Sequence, residues 1–197
     1  VDLGGRRIIK KMENKAISFR YRLRAYLAHY FLPKKKGIRV VIFAQGRTGS
    51  TLLESLICST KHFKKGGELL GSHGTRVKFP FQYISGLSRL AKKKNFIFHL
   101  KIYHLLRDRK DPIDPGLFLR RLQADGWEIV FLRRTNKLNH VLSNMIRVER
   151  GMAQKYDDTP EDFRLRVHPE ELAELIEDRY RLRPKNLRHF RAYATPK

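Results

Sequence analysis

A loop with two glycines, an arginine and three hydroxyl side chains is the part of the chain whose residue types best suit chemistry. It spans residues 45–51 and reads QGRTGST. Glycine permits backbone angles and close approaches that other residues forbid. Between a strand and a helix, such a loop directs unpaired backbone N–H groups and the positive end of the helix dipole at one point. The pattern therefore predicts a site for phosphate or sulfate, and the alternative is a purely structural turn.

This loop differs from the phosphate-binding loop of nucleoside triphosphatases. That loop requires the pattern GxxxxGK[ST], in which the lysine reaches the terminal phosphates. Gly49 stands at the position of that lysine. We therefore expect an anion site of another kind, and the missing lysine weakens the hypothesis of a nucleotide kinase or hydrolase.

A second group of polar residues follows another apolar segment. Residues 128–132, EIVFL, lead directly into Arg133 and Arg134, and the polar side of the next predicted helix includes Ser143. In open α/β sheets, ligands bind at the carboxyl ends of the strands. Two strands that each bring an arginine and hydroxyl groups to that edge indicate a ligand with two separate anionic groups.

The elements that must position these residues alternate between strands and helices. Buried strands are predicted from the apolar runs at 38–44 and 128–132 and from the alternating pattern at 96–102. Ser50 or Thr51 is a natural N-cap for the helix after the first strand. Further helices are predicted at 81–90, at 117–124, from 138 to about 151, and from Thr159 to about 182. This alternation predicts an α/β protein with a P-loop-like three-layer fold, in which helices flank a mainly parallel central sheet.

The composition bounds the class of protein. The chain has 197 residues, of which 41% are hydrophobic, and a net charge of +24. It can bury the core of one domain, and its surface attracts polyanions such as nucleic acid, acidic polysaccharide or anionic lipid. The single cysteine, Cys58, excludes an internal disulfide. No apolar run suffices to span a bilayer and no signal peptide is visible, so we expect a cytoplasmic protein.

The predicted domain organisation is a basic N-terminal region at 1–37, with an amphipathic helix, followed by an α/β domain at 38–197. Apolar side chains recur at helical spacing in the first region, namely Ala16, Phe19, Leu23, Tyr26, Leu27 and Tyr30. We interpret this helix as packed on the domain, with its basic side in solvent. The alternative is a helix that makes peripheral contact with a membrane or binds a polyanion.

Both polar groups resemble the signatures of a known family. Residues 45–53, QGRTGSTLL, resemble the phosphosulfate-binding loop of sulfotransferases that use 3′-phosphoadenosine 5′-phosphosulfate (PAPS). The stretch 132–143 is similar to their second signature, an arginine after a strand and a serine on the next helix. The resemblance is greatest to bacterial glycolipid and carbohydrate sulfotransferases, which have a Gly-Glu element and a lysine-bearing strand between the signatures, as Glu68 and Lys101 are placed here. It covers roughly residues 38–150.

The resemblance implies transfer of a sulfuryl group from PAPS to a hydroxyl of a carbohydrate or glycolipid, without a metal ion. The excess of basic residues favours an acidic acceptor. The resemblance assigns Arg134 and Ser143 to the 3′-phosphate of the donor. Arg134 is preferred to Arg133 because its spacing to Ser143 matches the family. The residues assigned to the 5′-phosphosulfate are Arg47, Thr48, Gly49, Ser50 and Thr51.

Sulfuryl transfer needs an in-line acceptor, positive groups where charge builds on the oxygens, and a base that takes the proton of the acceptor. In this interpretation Arg47 supplies positive charge. The resemblance makes Glu68 the candidate base, and the alternative is an ordinary salt-bridged glutamate. Lys101 either binds the transferring group or the acceptor, or pairs with an acid. The rival candidates for the base are His73, His99 and His104.

Two features depart from the family pattern. The chain ends at Lys197, before a further strand and helices that related enzymes have, so we expect either a C-terminally truncated domain or a different way of holding the adenine. The surplus of basic residues is also larger than we expect of the family. It supports an alternative function, a non-catalytic α/β domain that binds a polyanion or nucleic acid. That alternative does not account for two hydroxyl-rich anchors after strands.

Overall fold

The computed structural model describes residues 19–71, 77–92, 94–149 and 165–181. Its contacts divide the chain into two compact units. The first unit consists of Val1–Ala44 and Ser50–Phe131, and the second consists of Gln45–Gly49 and Leu132–Lys197. Within the described ranges, no helix has the length and apolar character needed to cross a membrane.

The central sheet has four parallel strands in the order β2-β3-β1-β4. The strands are β1 (Arg39–Ala44), β2 (Phe63–Lys65), β3 (Asn95–Lys101) and β4 (Glu128–Leu132). The predicted strands are confirmed as β1, β3 and β4, and the parallel sheet with its flanking helices confirms the α/β class. Strand β2 was not predicted, because three residues with two lysines lack the apolar alternation that indicates a strand.

Strands β1 and β3 form the centre of the first unit. Every residue of β1 is buried, as expected for a strand covered by helices. The parallel register pairs Arg39 with Phe96 at one end and Ala44 with Lys101 at the other. The one charged residue of β1, Arg39, is stabilised by a hydrogen bond of 2.8 Å from its Nη1 to Asp125 Oδ2. Because the last residues of the two strands are paired, β1 and β3 end at the same edge of the sheet.

The helices of the described part begin with residues 19–31 (α1), followed by α2 (Ser50–Ser59), α3 (Pro80–Leu90), α4 (Ile102–Leu106), α5 (Pro115–Ala124), α6 (Lys137–Glu149) and α7 (Pro169–Arg181). Helices α2, α3, α5 and α6 confirm the predicted positions. Helix α4 begins at Ile102, a residue predicted to belong to β3. Helix α7 follows non-helical residues 165–168, so it is a separate helix; the start predicted at Thr159 lies outside the described residues.

Helix α2 differs from the prediction at two points. It begins at Ser50, so Ser50 and Thr51 lie in its first turn and the prediction that one of them is the N-cap is wrong. It buries Ser50 and Glu54, whereas Leu52 and Leu56 of the apolar repeat are 60% and 59% exposed. The polar side of this helix faces the interior of the first unit because Glu54 has hydrogen-bond partners there.

Helix α1 packs through a different side from the one its larger apolar residues predicted. Ala25 and Ala28 are buried, and a Cβ on Gly86 of α3 would overlap the carbonyl oxygen of Ala25. Arg89 secures the end of α1, with hydrogen bonds of 2.5 Å from Nη1 to the carbonyl oxygens of His29 and Leu32. The close approach suits small residues, so the large apolar side chains lie mostly on the outer side. The expectation of an apolar face packed on the domain is therefore wrong for most of that face.

Candidate functional site

The predicted anion loop spans residues 45–51; Gln45–Gly49 belong to the second unit, and Ser50 and Thr51 belong to the first. Within Gln45–Gly49, Arg47 has φ 66° and Gly49 has φ 90°, so two of these five residues adopt the left-handed conformation. The hydroxyl of Thr48 donates to the carbonyl oxygen of Gln45 at 2.9 Å and closes the turn. A non-glycine residue in this conformation costs free energy and is typical of functional loops, and turns of this kind can direct successive N–H groups at an anion.

Helix α6 contacts the loop through two side chains one turn apart. Arg47 Nε donates a hydrogen bond of 3.1 Å to Oγ of Ser143. His140, which is 1% exposed, donates from Nε2 to the carbonyl oxygen of Gly46 at 2.5 Å. Arg47 and Ser143 were predicted as parts of two different anchors, and the structure brings them into direct contact. The role of His140 was missed, although its position three residues before Ser143 places both on one face of the helix.

Arg134 lies in the same unit as this contact. It is partly buried, whereas Arg133 is exposed. Among the described residues, Arg134 forms no hydrogen bond or ion pair, so its charge is available to a ligand. No hydrogen bond joins these two described residues, Arg134 and Ser143.

The remaining predicted residues form a second cluster, in the first unit. Glu68 follows β2, and its Oε1 accepts a hydrogen bond from Nζ of Lys101 on β3. His99 Nε2 lies 3.2 Å from the same oxygen, and His104 Nε2 lies 3.8 Å from Oε2. His99 and Lys101 thus share one face of β3, as the alternating pattern predicted. His73 lies outside the described residues.

Glu54 completes this cluster and was not predicted. Its side chain is fully buried, accepts a hydrogen bond of 2.7 Å from the N–H of Gly67, and lies 3.0 Å from Nδ1 of His99. One imidazole therefore lies between the carboxylates of Glu54 and Glu68. The available signal was a single charged residue within the apolar repeat of α2, because a buried carboxylate needs partners.

The charges in this cluster shift the pKa values of its members. The contact with His99, reinforced by Lys101, lowers the pKa of Glu68 to about 2, although partial burial acts in the opposite direction. Burial disfavours the charged form of His99, but Glu54 and Glu68 together raise its pKa above the usual value. Burial lowers the pKa of His104 to about 4. At neutral pH the cluster therefore contains an ionised Glu68 and a neutral His104.

The neutral state of His104 agrees with its geometry. The backbone N–H of Lys101 donates to Nδ1 of His104 at 3.3 Å, so this nitrogen must be unprotonated. Glu68, in contrast, is an anion that can accept a proton, but its low pKa makes it a weak base while Lys101 and His99 both hold it.

The part of the chain that the structure describes holds no group of three or more His, Cys, Asp and Glu side chains arranged for a metal ion. Comparisons of the chain with protein-family models, curated proteins and solved structures found no match. The second unit provides a group of cations and hydroxyls suited to an anion, and the first unit provides a partly buried group suited to proton transfer.

Proposed function

We propose that this protein is a sulfotransferase that moves a sulfuryl group from PAPS to a hydroxyl of a carbohydrate or glycolipid acceptor. The observation that carries the proposal is the hydrogen bond between Arg47 and Ser143. The two residues are 96 positions apart, and each belongs to a different predicted phosphate anchor. A ligand with two separate anionic groups, such as PAPS, needs two such anchors close together.

In the proposal, the loop binds the 5′-phosphosulfate through Arg47 and through the backbone N–H groups of Thr48 and Gly49. Backbone groups are preferred for Thr48 because its hydroxyl already donates to Gln45. The resemblance adds Ser50 and Thr51, the first two residues of α2. Positive charge and convergent N–H groups stabilise the oxygens on which charge builds during transfer.

The 3′-phosphate is assigned to Arg134 and Ser143. Arg134 supplies a cation that no described residue pairs with. The hydroxyl of Ser143 accepts a hydrogen bond from Arg47 and still has its own O–H to donate to a phosphate oxygen. Both residues belong to the unit that contains the loop.

In the proposed reaction, the acceptor oxygen forms a bond to sulfur while the bond between sulfur and the bridging oxygen of the 5′-phosphate breaks. The proton of the acceptor hydroxyl passes to Glu68, and 3′-phosphoadenosine 5′-phosphate (PAP) leaves. Lys101 is proposed to bind a sulfuryl oxygen. If the Lys101 side chain turns away from Glu68 to do so, the pKa of the Glu68 carboxylate rises and the carboxylate becomes a stronger base. Arg47 balances the charge left on the departing phosphate.

Calorimetric titration with PAP and with ATP tests the donor site. We expect clear preference for PAP, and we expect Arg134→Ala and Ser143→Ala each to weaken PAP binding by about 1–3 kcal/mol, as for loss of a partner to a charged group. Arg133→Ala is the matched control, because it removes the same charge from an exposed neighbour. Unchanged affinity in both variants would remove the second anchor from the proposal.

The net charge of +24 favours one other candidate, a non-catalytic binder of polyanions or nucleic acid. The same titration separates the two. A non-specific binder takes up PAP and ATP equally and weakly, and loses both when salt is added. In that case Arg133→Ala and Arg134→Ala would weaken binding equally, and Ser143→Ala, which removes no charge, would bind like the wild type.

A further inference from the structure

The outer side of α1 displays a stripe of large apolar side chains. Phe19, Leu23, Leu27 and Tyr30 are spaced by four, four and three residues, so they lie on one face of the helix. Their exposed fractions are 61%, 46%, 48% and 68%. The opposite side, with Ala25, packs on α3. Among the described residues, each of these four, which we name the α1 stripe, keeps about half or more of its surface exposed.

Basic residues adjoin the α1 stripe. Arg20 and Arg24 are exposed and one turn apart, at positions that border the stripe around the helix. Phe31, with 78% of its surface exposed, extends the apolar area at the end of the helix, and Lys36 follows shortly after it. An aromatic and aliphatic face next to arginines is typical of helices that lie in the interface of a membrane.

We infer that the α1 stripe docks on a membrane surface that contains anionic lipids. Such a surface offers both apolar material for the four side chains and negative charge for Arg20 and Arg24. A sulfated polysaccharide would match the arginines but would leave the apolar side chains in water. A second copy of this chain is disfavoured because it would bring together two molecules that each have a net charge of +24.

The packing of α1 defines how it would contact the membrane. Arg89 bonds its last turn and Gly86 admits the backbone of Ala25, so α1 is held along α3. Helix α1 would therefore lie parallel to the membrane plane in the headgroup region, with the α1 stripe toward the acyl chains, and would not insert across the bilayer. This inference is independent of the proposed sulfotransferase activity, because it uses none of the residues assigned to the donor.

Cosedimentation of the full chain with vesicles tests the inference. We expect binding to vesicles of phosphatidylcholine and phosphatidylserine, and little binding to phosphatidylcholine alone. The double change Leu23→Ser with Leu27→Ser should lower partitioning roughly ten-fold or more, because it removes two apolar side chains from the contact. Arg20→Gln and Arg24→Gln should each lower it about five-fold. Leu117→Ser is the matched control, since Leu117 on α5 is 61% exposed and lies outside the stripe.

All of the changed side chains are exposed, so circular dichroism melting curves of the variants should match that of the wild type. Binding to heparin beads measures attraction to a polyanion that offers no apolar material. Failure of the wild-type chain to bind the anionic vesicles would overturn the inference. Binding of the double serine variant as strong as that of the wild type would overturn it too, because attraction would then be purely electrostatic, as for heparin.

Discussion

Two carboxylates share one imidazole in the first unit. Glu54 is fully buried and Glu68 has 33% of its side chain exposed, so the two differ in access to a substrate. His99 lies between them and contacts both carboxyl groups, and Lys101 contacts the exposed one. Of the two carboxylates only Glu68 is exposed, so Glu68 remains the proposed proton acceptor, with the histidines as its rivals.

The role of Glu68 can be tested by Glu68→Gln. If Glu68 is the base, turnover in a PAPS-dependent assay should fall by about 10²–10⁴-fold, the usual contribution of a positioned base. PAP affinity should be nearly unchanged, because the glutamine retains the size of the side chain. Glu128→Gln, on an exposed position of β4, is the control. A fully active Glu68→Gln enzyme would transfer the role of base to a histidine.

At the level of single residues, the sequence was informative where a motif joins several residue types. Arg47 and Ser143 were found through two signatures, and they are in contact. Glu54 and His140 were not found, because each is one polar residue on a helix and its partner is distant in sequence. Their importance depends on tertiary contacts with Gly67 and Gly46, which no local pattern encodes.

The elements of the sheet were predictable in proportion to their apolar content. Strands β1, β3 and β4 carry an apolar run or apolar alternation of strand length, whereas β2 has only three residues and the five residues of α4 make less than two helical turns. Short elements make too few periodic contacts to be recognised. The prediction of which face of α1 packs on the domain was wrong for another reason. The helical period identifies an apolar face, but it does not show whether the neighbouring helix has room for large side chains.

Gly86→Ala tests the contact between α1 and α3. Within a helix, alanine is normally favoured over glycine by about 1 kcal/mol. Here the new Cβ would overlap backbone atoms of Ala25, which cannot move as a flexible side chain would. We therefore expect a loss of about 1–3 kcal/mol in the free energy of unfolding, the range for overpacking, measured by urea denaturation. A more stable variant would mean that α1 does not pack this closely.

For the whole molecule, the alternation of strands and helices was sufficient to predict the α/β class, because a parallel sheet requires helical connections. The division into two units was not predictable in this way. The loop Gln45–Gly49 groups with residues that begin at Leu132, although the chain on both sides of it belongs to the first unit. That grouping depends on contacts such as the one between His140 and Gly46.

The dependence of stability on pH has opposing parts. Lowered pKa values for His104 and Glu68 mean that their contributions are lost as pH falls, for His104 between its usual 6.5 and about 4, and for Glu68 from 4.5 toward about 2. The raised pKa of His99 means that its contribution is complete at low pH and is lost as pH rises. The protein should therefore be most stable near neutral pH.

His104→Gln isolates one of these parts. Between pH 7 and pH 5, this histidine becomes protonated in the unfolded wild-type chain but stays neutral in the folded chain. The difference lowers the unfolding free energy of the wild type. The difference in unfolding free energy should therefore shift by roughly 2 kcal/mol in favour of the variant, as measured from urea midpoints at the two pH values. A difference that stays constant with pH would show that His104 titrates normally.

The position of His99 between an interior and an exposed carboxylate also provides an intrinsic spectroscopic reporter. Any molecule that neutralises or displaces Glu68 changes the electric field at Nε2, while Glu54 continues to hold Nδ1. The nitrogen-15 chemical shifts of this buried ring would therefore report the binding of a molecule at Glu68, without an attached label.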